Sequence, residues 1–373
     1  MWHTLTGSNR PNGVERARLR RSAAVPSRTG DRVVCESSAV RDATLNVAVI
    51  GLGLIGGSVL RALAARGHHV SGYDADPATR ATARTAAAQA PANARWHVTA
   101  TVADAVRDAD LAVVAVPLPA VGGVFDELAS LAYVGVVTDV TSVKGPVRDL
   151  ALDRLRTGGQ ALATFIGGHP MAGRETSGFT AADPRLFDGC AWVLCLEEDG
   201  AGLRDWIELA ALVTGLGARV VPATAEEHDQ AVATISHVPH LVAAAVAARI
   251  ATDPLAGTLG AGSFRDGTRV AAARPELTAA MCGGNAEAVL DALDAVLADL
   301  AAARAALDGA DPITTLVPWL TPGHTARQSW PPRPGETADL PARADVLLRL
   351  GRVGGWVESV ADDGRTVRAV RPA

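Results

Sequence analysis

Residues 46–58 read Asn46-Val47-Ala48-Val49-Ile50-Gly51-Leu52-Gly53-Leu54-Ile55-Gly56-Gly57-Ser58. Five residues of mostly apolar, β-branched character run straight into glycines, and a helix-spaced apolar pattern follows. A run of that kind belongs in the middle of a parallel sheet. The three glycines then have separate tasks: Gly51 permits the tight turn, Gly53 lets backbone approach a pyrophosphate, and Gly56 lets the helix lie close to the strand. The amides opening that helix, at Leu54 and Ile55, carry the partial positive charge that an anion seeks. A carboxylate is expected about 20 residues further on, and Asp74 ends the next strand-like run. Such a carboxylate accepts ribose hydroxyls and repels a 2′-phosphate, which predicts NAD, with Arg80 leaving NADP as a secondary cofactor.

Outward from this turn, short buried strands alternate with helices. Strands are expected at Asn46–Ile50, His69–Tyr73, Trp96–Thr99, Leu111–Val116, Val136–Val140, Ala163–Ile166, Ala191–Leu196 and Arg219–Val221. Helices are expected at Ile55–Arg66, Pro77–Ala90, Pro119–Leu131, Gly145–Leu155 and Leu203–Leu216. Alternation of this kind means right-handed crossovers and an α/β fold with a Rossmann-type, doubly wound, mostly parallel sheet. From Ala225 the strand signal stops. Helix-spaced alanine and leucine take over, with Val289, Leu290, Leu293, Val296, Leu297 and Leu300 forming one apolar stripe. This reads as an all-helical domain for packing and self-association. The expected organisation is therefore 1–44 as an arginine-rich disordered extension, 45–223 as the dinucleotide-binding domain, 224–312 as the helical substrate and dimerisation domain, and 313–373 as a Pro-rich linker with a small appendage. The appendage has strand-like pieces around Gly354-Gly355 and Asp363-Gly364, as a hairpin or a strand pair docked on the main body.

Composition narrows the function classes. Of 373 residues 48% are hydrophobic and 20% charged, which excludes disordered and collagen-like classes. The net charge of −5 gives no basic excess for a nucleic-acid binder. Four scattered cysteines with no C-x-x-C pair fit reduced thiols in the cytoplasm. The arginine-rich start lacks the apolar core of a secretory signal. The apolar stretch Val232–Ile250 is interrupted by His237, Pro239 and His240, so a membrane span is not expected.

The remaining chemistry clusters at the carboxyl ends of strands, where open α/β sheets bind ligands. Val116-Pro117 closes one strand. Asp139-Val140-Thr141-Ser142-Val143-Lys144 closes the next, with Ser142 a candidate helix N-cap and Lys144 the one lysine of the chain. Gly167-Gly168-His169-Pro170-Met171-Ala172-Gly173 reads as a loop that presents an imidazole able to take a proton from an alcohol. In the helical part, Glu226-Glu227-His228-Asp229 and Ile235-Ser236-His237-Val238-Pro239-His240 set polar groups on apolar helices. Ser263-Phe264-Arg265-Asp266-Gly267-Thr268-Arg269 adds guanidinium groups suited to a carboxylate. No H-x-x-x-H or H-E-x-x-H spacing occurs, and no metal is expected.

Taken in order, Gly-Leu-Ile-Gly-Gly-Ser, Asp-Val-Thr-Ser-Val-Lys, Gly-His-Pro-Met-Ala-Gly, Ser-His-Val-Pro-His and Phe-Arg-Asp-Gly-Thr-Arg make the chain resemble the prephenate dehydrogenase family, which includes the arogenate and cyclohexadienyl dehydrogenases. The resemblance spans about Asn46 to Ala306. It implies NAD-dependent oxidative decarboxylation of prephenate to 4-hydroxyphenylpyruvate by a cytoplasmic homodimer, with arogenate as the alternative substrate. It implies that His169 is the base, that Ser142 helps hold the ring hydroxyl, and that Arg269 grips a substrate carboxylate. It further implies that Glu175 and Asp266 join a charged network and that His237 and His240 line the substrate wall. Gly51, Gly53, Leu54, Ile55, Gly56, Asp74, Val116 and Pro117 would surround the cofactor. Thr278 stands where many relatives place a tryptophan reaching the partner subunit, and Arg174 where many have a small polar residue. The helical domain holds no lysine, which argues against a β-hydroxyacid dehydrogenase. A non-catalytic NAD sensor is the reading from another class. A regulatory βαββαβ pattern in the tail is not expected.

Overall fold

A computed structural model describes residues 44–373 apart from Gly158 and Glu175, so the expectations for residues 1–43 and for Glu175 lie outside the described residues. Two six-stranded sheets organise the chain. The first contains β1 (Asn46–Ile50), β2 (His69–Tyr73), β3 (His97–Val98), β4 (Leu111–Val114), β5 (Val136–Asp139) and β6 (Thr164–Ile166), in the order β3-β2-β1-β4-β5-β6. Every pairing in it is parallel. Helices α1 (Leu54–Ala65), α2 (Pro77–Gln89), α3 (Val102–Val106), α4 (Leu118–Ser130) and α5 (Gly145–Arg154) supply crossovers. The strand order reverses between β1 and β4, which opens the crevice where a dinucleotide lies. One face of β1 packs Val47 and Val49 with Leu60 and Leu63 of α1. The other packs Ala48 and Ile50 with Val121 and Phe125 of α4. Burial on both faces is why β1 carries no polar alternation.

The expected strands beyond β6 do not extend that sheet. They build a second, mixed one containing β7 (Gly168–Pro170), β8 (Ala191–Cys195), β9 (Arg219–Ala223), β10 (Pro334–Pro341), β11 (Trp356–Val360) and β12 (Thr366–Pro372), in the order β10-β12-β11-β9-β8-β7. The chain leaves the first sheet at Gly167, and β7 turns antiparallel to β8. Helix α6 (Leu203–Gly215) joins β8 to β9, which are parallel. Trp192, Leu194, Trp206 and Val220 share one core with Val47 and Leu63. The sheets are thus bonded through side chains, not through strand pairing.

The helical part follows as α7 (Ala225–Val232), a π-turn (Ala233–His237), α8 (Val238–Ala247), a short 3-10 turn, α9 (Pro254–Leu259), α10 (Gly262–Thr268), a second 3-10 turn (Arg269–Ala272), α11 (Pro275–Gly284), α12 (Ala286–Leu307) and α13 (Pro312–Gln328). The run Ala225–Ala251 is long and apolar enough to cross a bilayer. Its His228, Asp229 and His237 are buried, while Ile235, Val242, Val246 and Ile250 are exposed. Within α12, Val289 is buried and Leu293 and Val296 pack beside it, while Leu290, Leu297 and Leu300 stay exposed.

The tail corrects one expectation and decides between the two forms of another. Pro312–Gln328 is a helix where a Pro-rich linker is expected; Pro312 sits in its first turn, where a missing N–H costs nothing, and Asp311 caps Thr314 N at 3.1 Å. Pro318 and Pro322 are carried inside because α13 lies along α12, with Trp319 Nε1 donating to Asp299 O at 3.0 Å. The last 40 residues take the docked form of the two expected: β10, α14 (Ala344–Arg352), β11 and β12 complete the second sheet, and Leu347, Leu348 and Val367 join the main core. This β–α–β–β order is two elements short of βαββαβ.

Candidate active site

The glycine turn is built by close contacts. Gly51 has φ +98°, and a Cβ there would lie 2.3 Å from Ala115 O. At Gly56 a Cβ would lie 1.9 Å from Gly51 O, so α1 can approach β1 only without one. Around Gly53 an added Cβ meets no atom within 4 Å, which leaves open space at the start of α1. The sequence has placed its bare backbone where an elongated anion can lie on the helix N-terminus. Leu54 and Ile55 are half-buried at this rim, as is Val116, while Pro117 caps α4 across from them. Asp74 closes the far end: Oδ2 accepts from Leu52 N at 2.7 Å and Oδ1 from Asp76 N at 2.9 Å. A carboxylate has about four acceptor positions, so capacity remains for ribose hydroxyls. Arg80 is turned back, donating from Nη1 to Asp74 O at 2.6 Å and lying 5.6 Å from the Tyr73 ring centre. These residues fit a dinucleotide: a cradle a Cβ would fill, a helix N-terminus and a carboxylate at the ribose end.

His169 does not lie on a loop. It is the middle residue of β7, paired with Val193 of β8. Gly168 explains the preceding glycine, since a Cβ there would come within 2.6 Å of Asp139 O. Beneath this strand Lys144 and Asp139 form an ion pair with both side chains fully buried. Lys144 Nζ also donates to Gly168 O at 2.6 Å and to Thr141 Oγ1 at 3.2 Å. Asp139 accepts from Gly168 N at 3.1 Å and Thr141 N at 2.9 Å. The lone lysine therefore holds the backbone of the histidine strand.

Ser142 is half-buried in the loop between β5 and α5, beside this pair. It does not cap α5. The cap comes from Asp229 of α7, whose Oδ1 accepts from Lys144 N and Oδ2 from Gly145 N, both at 2.8 Å. Asp229 also bonds its neighbour, with His228 Nδ1 2.8 Å from Oδ1. His228 Nε2 then lies 2.8 Å from His169 Nδ1, the two rings edge to face at 72°. Neither His228 nor Asp229 was among the expected site residues. The adjacent acid and imidazole on an apolar helix were the available signal, but their partner is 59 residues away.

Burial, together with the His228 imidazole and the Lys144 ammonium, holds His169 well below the ordinary histidine value. His228 is lowered as well, burial outweighing the Asp229 carboxylate. Asp229 itself is lowered: the His228 bond and the α5 amides overcome its burial. His237, 0% exposed, is pushed down to about 4 by burial. Its Nδ1 lies 3.2 Å from Asn285 Nδ2, an amide that also donates to Asp229 O at 2.7 Å. A π-turn ending at this residue fits the habit of such turns to mark functional positions. The structure thus brings together His169, His228, Asp229, His237 and Asn285; Ser142 stands two residues before Lys144 in the loop between β5 and α5.

Other expected residues stand further out. His240, in the first turn of α8, is half-buried and its Nδ1 donates to Ser236 O at 2.8 Å. Arg269 is exposed on the 3-10 turn that packs against α8. Asp266 is 78% exposed and pairs with Arg265 at 3.6 Å.

Comparison with known proteins matches residues 59–222 to the family model described as prephenate dehydrogenase, nucleotide-binding domain, and residues 224–321 to prephenate dehydrogenase, dimerization domain. The first match begins just past the glycine turn. The chain is 34% identical over 275 residues to a cyclohexadienyl dehydrogenase of Zymomonas mobilis, covering 71% of this chain and 89% of that protein. Among solved structures, prephenate dehydrogenase from A. aeolicus in complex with hydroxyphenyl propionate and NAD+ superposes with TM-score 0.66 at 25% identity, over 78% of this chain and 99% of that one. Synechocystis arogenate dehydrogenase gives TM-score 0.61 at 28% identity, over 76% and 99%.

Proposed function

The chain belongs to the prephenate dehydrogenase family, and on that premise we propose that it is a cytoplasmic, NAD-dependent prephenate dehydrogenase that releases carbon dioxide and 4-hydroxyphenylpyruvate. The observation that carries this reading is His169: a neutral imidazole held in a strand against His228, just past the carboxyl end of a strand in the sheet whose glycine turn suits a dinucleotide. NAD, when bound, supplies the hydride acceptor. Gly51, Gly53 and Gly56 give its pyrophosphate access to the helix N-terminus, and Asp74 selects it over NADP by refusing the ribose 2′-phosphate. His169 accepts the proton of the ring hydroxyl as the C–H bond on the same carbon breaks; loss of the ring carboxylate then makes the ring aromatic. The low proton affinity of His169 keeps it free to act at neutral pH. Ser142 holds the hydroxyl, His237 and His240 form the wall, and Arg269 takes a carboxylate, with Asp266 in the charged surround. The exposed leucines of α12 supply a face for a second copy, which supports a homodimer.

The test is NADH formation on mixing the purified protein with prephenate or arogenate and with NAD or NADP. Prephenate with NAD is expected to be the fastest pair, and His169→Asn to lower turnover by about 10²–10⁴-fold while NAD affinity is kept. Absence of turnover with either acid would refute the reading; faster arogenate oxidation would move it to arogenate dehydrogenase, a reading favoured by the likeness to the Synechocystis structure.

A further inference from the structure

We infer that His228 and Asp229 are positioning residues that decide which nitrogen of His169 faces the substrate, keeping its proton on Nδ1 and its lone pair on Nε2. The inference rests on the reading of His169 as the proton acceptor, and its geometry is independent of which acid is oxidised. Asp229 is the fixed end. Its two oxygens are held by Lys144 N and Gly145 N at the start of α5, at 2.8 Å each. An ionised carboxylate only accepts. His228 Nδ1, 2.8 Å from Oδ1, must therefore be the donor. A neutral His228 then has a bare Nε2, and that atom is 2.8 Å from His169 Nδ1. His169 consequently donates from Nδ1, which leaves Nε2 as the acceptor. Asn285 secures the element that carries the relay by donating to Asp229 O at 2.7 Å.

The opposite protonation of His228 would fit the same distances and reverse the outcome. Were His228 protonated, its Nε2–H would point at His169 Nδ1, and the second nitrogen of His169 would carry a hydrogen and could accept nothing. Charged and titratable groups face the relay from several sides. Lys144 and Asp139 come from β5 and its loop, Asp229 from α7 itself, and His237 from the π-turn. Lys144 opposes protonation of His228 and the two carboxylates favour it. Burial tips the balance to the neutral ring, so the tautomer is locked at neutral pH and released in acid.

The experiment reads the tautomer directly. Full-length protein labelled with ¹⁵N-histidine is compared by NMR at pH 7.5 with His169→Gln, which identifies the His169 signals, and with His228→Leu and His228→Gln. Wild-type His169 is expected as a neutral ring with Nδ1 protonated and Nε2 bare. Leucine removes the acceptor, so the His169 proton distributes to Nε2, and kcat with prephenate falls about 10²-fold or more while the KM for NAD holds. Glutamine restores an acceptor oxygen near the former Nε2 and is expected to keep the tautomer and rescue kcat to within about tenfold of wild type, which loss of packing alone would not do. A wild-type His169 protonated on Nε2, or a glutamine variant as inactive as leucine, overturns the inference. If His228→Leu does not fold, wild type and His228→Gln decide it. A locked tautomer in a protein that turns over neither acid would refute the proposed function and leave this inference standing.

Discussion

Replacing Lys144 by Met probes a fully buried and fully bonded charge. The ammonium has three protons, and all three are engaged: by Asp139, by Gly168 O at 2.6 Å and by Thr141 Oγ1 at 3.2 Å. Both members of the ion pair are fully buried. Methionine has nearly the same length, so the cavity contribution is small and the electrostatic one dominates. Asp139 keeps its bonds from Gly168 N and Thr141 but loses its cation. Breaking a buried pair on one side costs about 3–5 kcal/mol, because a buried charge is left uncompensated. Lys144→Met should therefore lower unfolding stability by about that amount. Asp139→Asn should do much the same from the other side. The double variant buries neither charge, and its loss should fall short of the sum by about 0.5–3 kcal/mol. Urea unfolding at fixed protein concentration, followed by fluorescence of the buried Trp192 and Trp206, measures all three. Single losses below about 1 kcal/mol, or strict additivity, would refute the view that this pair holds the His169 strand.

Other consequences follow from the same contacts. Gly56→Ala places a methyl 1.9 Å from Gly51 O, so it should cost about 1–3 kcal/mol and weaken NAD affinity measured by calorimetry. Asp74→Ser removes the charge at the ribose end, so the NAD-to-NADP ratio of kcat/KM should fall at least tenfold, by about 1.4 kcal/mol of discrimination; an unchanged ratio would remove the role given to Asp74. The acid limb of kcat/KM should lie below the ordinary histidine pKa of about 6.5, since His169 must be neutral to act and its proton affinity is lowered. Stability should follow a related course. His169, His228 and His237 are all depressed in the fold, so the unfolded chain takes up more protons below about pH 6.5. Their contribution is complete above that pH and is lost as pH falls, for His237 down to about 4. The urea midpoint should drop between pH 7 and 5; a midpoint flat across that range contradicts the burial of these rings.

The first sheet is legible in the sequence because its signals are local. A strand, a glycine turn and a helix start lie within 13 consecutive residues at Asn46–Ser58, and Asp74 falls where the next strand must end. Each expected strand from β1 to β6 appears within a residue or two of its expected place. The order of the second sheet is not legible, because it depends on β9 and β11 pairing through Val220 and Val357, far apart in the chain. Strand β7 escapes notice for another reason: Gly-His-Pro has the composition of a turn, and its extended form is imposed by Trp192 and Val193 alongside. The proline content of α13 hides a helix that depends on α12 for support. Asp229 capping α5 across 85 residues explains why Ser142, locally the better candidate, does not cap. His228 was present in the sequence as one polar residue among several, and only folding selects it. Local chemistry therefore points to the glycine turn and to His169, while the groups that hold His169 are set by tertiary contact.

A crystal structure of the protein with NAD and 4-hydroxyphenylpropionate measures directly whether His169 meets the ring hydroxyl. The predicted result is the hydroxyl oxygen within about 3.2 Å of His169 Nε2, with the acid's carboxylate on the Arg269 guanidinium. A ligand whose hydroxyl lies away from His169, or whose carboxylate is held by another group, would contradict it.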